Sequence, residues 1–105
     1  MDNLRAQDVL RVMESLQDFI QSLTPWPTIP LVLYILAENN RGSFPTVKEI
    51  VTQEYASDAT IKRTLSQMRV YSLIELYEDE SDYRQKRVII SKEFYNLLKN
   101  KINVS

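Results

Sequence analysis

Between Thr60 and Ser72 the chain carries Lys62, Arg63 and Arg69 and no acid, with Ser66 and Gln67 among them. Arg63 and Gln67 stand four residues apart, a spacing that puts both on one side of a helix. A guanidinium and a carboxamide are the donors that bond base edges, whereas Thr60, Lys62 and Ser66 suit phosphate oxygens. Ser57 at the start of the segment and Arg69 on its flank complete this candidate DNA-contacting set. A second basic group, Arg84, Lys86 and Arg87, follows the acidic run Glu78, Asp79, Glu80 and Asp82. Bond-making chemistry is poorly supplied by comparison. The chain has no histidine and no cysteine, so imidazole bases, thiolate nucleophiles, disulfides and the usual zinc ligand sets are excluded. One glycine, Gly42, leaves no glycine-rich loop to cradle a nucleotide. No catalytic residue, metal site or cofactor is expected, and the protein reads as something other than an enzyme.

The elements that must position these side chains follow from periodicity. The 105 residues, 44% hydrophobic and 26% charged, suit a single domain spanning 1–105. Apolar residues at Val9, Met13, Leu16, Ile20 and Leu23 predict a helix over 3–23, ended by Pro25 and Pro27. Leu31 to Ala37 is apolar nearly all round, the pattern of a central buried helix, with Thr28 as its cap and Pro30 in its first turn. Asn39 to Gly42 reads as its stop, suited to left-handed turns. Thr46 with Glu49 is a capping-box pattern for a short helix through Glu54. Ser57 opens the next helix, whose inward face is Ile61, Leu65 and Met68. Its outward face is Ala59, Arg63, Ser66, Gln67 and Val70, free of acids.

Leu73 to Tyr77 and Val88 to Ile90 favour strand and read as a hairpin with a long charged tip. Ser91 then caps a last helix, within 92–105. The expected fold is mostly α with a small β-hairpin: a winged helix-turn-helix over 28–91, flanked by terminal helices. In it Asp82, and Glu78 or Glu80 across the tip, hold the arginines extended and order the loop. The competing reading is an ordinary solvated surface, since exposed helices always show Lys, Arg and Gln.

Asp82-Tyr83-Arg84, followed by Val88, Ile90 and Ser91, resembles the wing signature of the multiple-antibiotic-resistance regulator (MarR-type) family. Thr60-Ile61-Lys62-Arg63 and Leu73-Ile74 occupy the places of that family's recognition helix and its entry to the wing. The resemblance covers most of 28–95. It implies a DNA-binding homodimer with Arg84 in or beside the minor groove, Asp82 orienting the wing, and the Ser57 helix in the major groove. The chain departs from the family at Ser72, where glycine is usual, and at Ser91-Lys92-Glu93-Phe94, where Thr-Glu-x-Gly is usual. One helix at each end replaces the paired helices that form the family's dimer and ligand pocket, which makes a small-molecule effector doubtful.

The expectation is therefore a cytoplasmic homodimer that binds double-stranded DNA and regulates transcription as a repressor, with no membrane segment. Leu4, Val9, Val12, Leu16 and Phe19 of the first helix, with Phe94, Leu98 and Ile102 of the last, are the candidate dimer seam. Two rivals use the same fold: a protein-protein interaction module, and a DNA-binding replication or plasmid-maintenance protein. Near-neutral charge, net −1, keeps the first of them in play.

Overall fold

The computed structural model describes residues 4–16 and 24–104. In chain order it contains α1 (Ala6–Leu16), α2 (Pro25–Asn40), α3 (Val47–Thr52), α4 (Asp58–Val70), β1 (Ile74–Glu78), β2 (Lys86–Ile90) and α5 (Lys92–Val104). This is the anticipated order of helices and hairpin. The predicted continuation of the first helix to residue 23 lies outside the described residues.

Helix α2 is the spine. Leu31, Val32, Ile35 and Leu36 are buried along it, and Val9 and Met13 of α1, Ile61, Leu65 and Met68 of α4, Val88 and Ile90 of β2, and Phe94 and Leu98 of α5 close around them. An all-round apolar helix can only be stable at such a centre. Its start differs from the expectation. Trp26 and Pro27 have non-helical backbone angles and kink the first turn, and the buried Thr28 hydroxyl makes no capping bond. Thr24 Oγ1 instead donates to the Trp26 carbonyl at 2.7 Å.

Local caps define the next two helices as anticipated. Thr46 Oγ1 accepts the Glu49 N–H at 3.1 Å, and Ser57 Oγ accepts the Thr60 N–H at 3.3 Å. Helix α3 ends at Thr52, earlier than Glu54, because Glu54 itself turns left-handed at φ 60°. The end of α2 is also different. Asn39 remains helical and buried, and of the Asn39–Gly42 stretch only Gly42 is left-handed, at φ 81°.

The hairpin pairs Ile74 with Ile90 and Glu78 with Lys86 in antiparallel register. Its base is tied to the helices at three points. Asn39 Oδ1 accepts the Ile90 N–H at 2.9 Å, while its amide donates to the Ser43 carbonyl at 3.1 Å and reaches the Val88 carbonyl at 3.5 Å. On the β2 edge away from β1, the Val88 N–H donates to the Pro45 carbonyl at 2.9 Å, and Thr46 bridges Arg87. Ser91 Oγ caps α5 by accepting the Phe94 N–H at 3.0 Å and donates to the Ser72 carbonyl at 2.5 Å. Ser72 is left-handed at φ 60°, so the position where the resembled family uses glycine keeps that backbone geometry with a serine. No helix among the described residues is long and apolar enough to cross a membrane.

Candidate nucleic-acid interface

Helix α4 turns Ile61, Thr64, Leu65 and Met68 into the protein. The 3.6-residue repeat then leaves Lys62, Arg63, Ser66, Arg69 and Val70 exposed, with Thr60 and Gln67 half-buried. Arg63, Ser66, Gln67, Val70 and Tyr71 line one shallow groove of about 300 Å³. Val70 is 79% exposed at its end. The structure thus brings Arg63, Ser66 and Gln67 together on an outward surface. It uses Ser57 and Thr60 differently: the Ser57 hydroxyl accepts the Thr60 N–H and donates to Thr60 Oγ1 at 2.9 Å. Both hydroxyls are therefore engaged in capping the helix.

Three carboxylates organise the wing. Asp82 Oδ1 accepts both the backbone N–H and the Nε of Arg84, each at 3.1 Å, and leaves the arginine side chain 77% exposed. Glu78 pairs with Lys86 across the strands at 3.2 Å. Pairing of Asp82 with Arg84 is the arrangement expected from the sequence, whereas Glu78 holds a lysine and not one of the arginines. Asp79 is the third, and its partner is Arg87, at 3.2 Å.

That last pair gives Arg87, expected as a DNA contact, a role within the protein. Its Nε bonds Asp79 and its NH1 donates to the Phe44 carbonyl, so the guanidinium is spent fastening the wing to the loop before α3. Phe44 and Tyr77 pack edge-on beside it, with ring centroids 6.3 Å apart. The hydrogen bond from Arg87 holds the Asp79 carboxyl below its usual range, and Asp79 in turn raises Arg87.

Between α3, the start of α4 and the wing lies a cleft of about 440 Å³. Lys48, Lys62, Arg84 and Lys86 line it from three elements, together with Gln85 and Asp58. Sequence reasoning missed Lys48, an exposed residue at the start of a short helix whose docking against the wing no local pattern reveals. It also placed no acid on this surface. Asp58 is there, paired with Lys62 at 3.0 Å. Lys48, Arg63 and Arg69 have no ion-pair partner among the described residues.

The dimer-seam residues need correction. Val9, Val12, Phe94 and Leu98 are buried in the protomer's own core, because α1 packs on α2 and α5 and uses those stripes internally. Leu4 and Ile102 are half-buried against the same core. The side chains of Leu16 and Phe19 lie outside the described residues. Among the described residues, the large apolar side chains that these helices turn outward are Leu10 and Leu97, 36% and 38% exposed.

No protein-family model and no curated protein matches the sequence. Solved structures do match. A variant of MepR from S. aureus superposes with a TM-score of 0.66 at 19% identity, over 87% of this chain and 63% of that one. MarR gives 0.64 at 19% identity, over 91% and 69%. S. aureus MepR in complex with DNA gives 0.63 at 19% identity, over 92% and 73%. The chain thus spans under two thirds of the length of the first of these. The fold is the MarR-type winged helix-turn-helix.

Proposed function

We propose that the protein binds double-stranded DNA as a homodimer and regulates transcription, acting as a repressor by occupying its site. The observation that carries this reading is the side-by-side placement of two surfaces. The outward face of α4 presents Arg63 and Gln67, and the cationic cleft with the aimed Arg84 adjoins its start. A fold of this kind lays such a helix in the major groove, with the wing on flanking backbone or minor groove. Arg63 and Gln67 read base edges, Ser66 and Lys62 lie against phosphates, and Arg84 reaches past the wing tip. One structural neighbour, MepR, was solved on DNA. The dimer forms through the terminal helices, with Leu10 and Leu97 in the seam. It sets two α4 helices roughly 34 Å apart on successive major grooves. A site of that size blocks polymerase without an effector.

The test is selection of bound sequences from a random duplex pool, followed by sizing of the complex. The reading expects a palindrome and a two-to-one stoichiometry of chain to duplex. Absence of retention on any duplex at low salt would transfer the same surface to protein contact. Several dimers assembling side by side on repeated sites would indicate a replication or plasmid-maintenance role.

A further inference from the structure

The cleft between α3 and the wing holds more positive charge than the protein around it balances. Four cationic residues line it: Lys48 of α3, Lys62 of α4, and Arg84 and Lys86 of the wing. Three of them are already held, by Asp58, Asp82 and Glu78 respectively. Of those acids only Asp58 lines the cleft. Asp82 and Glu78 do not line it, so neither occupies the space. Lys48 has no carboxylate partner among the described residues. The arrangement is a cationic cup with one internal carboxylate, on a chain whose net charge is −1.

We propose, building on the DNA-binding reading above, that this cleft seats one backbone phosphate of the duplex and that Asp58 is its displaceable stand-in. In the free protein Asp58 holds Lys62 at 3.0 Å, an exposed pair four residues apart on α4. Such a pair is weak, so a phosphate takes Lys62 from it at little cost. The phosphate gains Lys48 at the same time, a contact that Asp58 does not make. The occupant is a duplex rather than a free anion because Lys62 is followed directly by Arg63 on the base-reading face. A strand anchored in the cleft continues onto that face.

Two substitutions act in opposite directions, which a merely structural role for either residue does not produce. Affinity of the full chain for a random-sequence duplex of about 20 base pairs is measured against salt concentration. Lys48→Ala is expected to weaken binding about five-fold and to reduce the steepness of the salt dependence by about 0.9 in log-log slope. Asp58→Asn is expected to tighten binding about three-fold, with sequence preference unchanged. Asp58 also favours the start of α4. Asp58→Ser, which keeps a residue suited to a helix start, therefore serves as a second variant, with thermal melts of each.

Wild-type binding that neither substitution changes would overturn the phosphate seat and leave the DNA-binding reading standing. Loss of affinity in both Asp58 variants would equally overturn it. A wild-type chain with no salt-dependent binding would overturn the DNA-binding reading and the seat with it. Titration with inorganic phosphate alone, at matched ionic strength, separates the two sources of phosphate. Saturable binding that Lys48→Ala abolishes, without any effect on duplex affinity, would assign the cleft to a free anion instead.

Discussion

A single oxygen of Asp82 accepts both the backbone N–H and the Nε of Arg84, at 3.1 Å each. The turn and the side chain it carries are thereby fixed by one group, which leaves the guanidinium end of an otherwise flexible arginine pointing outward. Pre-ordering of that kind removes part of the rotamer entropy lost on binding.

From this pairing we expect Asp82→Ala to lower duplex affinity several-fold, although it removes a negative charge from the interface. Charge alone predicts the opposite sign. Arg84→Ala should lower affinity to a similar degree, and the double variant should lose little more than either single one. A double-mutant cycle by fluorescence anisotropy checks this, with additive losses counting against the coupling.

Asn39 joins the end of α2 to the wing through the Ile90 N–H and the Ser43 carbonyl, and its side chain is buried. Asn39→Ala strands the buried Ile90 N–H and removes the part-buried bond to the Ser43 carbonyl. About 2 to 3 kcal/mol of folding stability should be lost, read as a drop in the urea midpoint with little change in m-value. A loss below about 0.5 kcal/mol would show that water replaces the amide.

The Arg87–Asp79 pair sets a pH dependence whose sign is fixed. Asp79 titrates below its ordinary value because Arg87 donates to its charged form. The stabilisation it brings is complete above the ordinary aspartate value near 3.9 and is lost as the pH falls through the lowered one. Melting temperatures from about pH 2 to pH 5 should fall more gently in Asp79→Asn than in the wild type. Arg87→Lys should not restore the clamp, since an ammonium cannot serve Asp79 and the Phe44 carbonyl in the same planar geometry.

Ser72 occupies a left-handed position that costs a non-glycine residue about 1 kcal/mol. Ser72→Gly is therefore expected to stabilise the fold by about 0.5 kcal/mol once the greater freedom of the unfolded chain is subtracted. Only its backbone carbonyl bonds Ser91, so the substitution keeps that contact. Equilibrium denaturation of the two chains gives the difference, and a destabilised variant would refute it.

What could be read in advance follows a physical divide. Thr46 with Glu49 and Asp82 with Arg84 act over two or three residues, and side-chain chemistry at such spacings is visible in a bare chain. Asn39 and Ile90 are 51 positions apart, and Arg87 and Phe44 are 43 apart, so those bonds exist only after the hairpin docks. Arg87 looks the same as Lys86 in a string of letters. What separates them is that Arg87 lies beside Thr46 on the docked edge of β2. The stripes of α1 and α5 misled for a related reason. Periodicity reports that a helix has an apolar side, and says nothing of whether the cover is its own chain or another.

Ser91 follows the last residue of β2, bonds the turn before β1 and caps α5, all within one residue. No slack separates hairpin from terminal helix. In a dimer joined through α5, that junction would tie the seating of the second copy directly to the base of the hairpin.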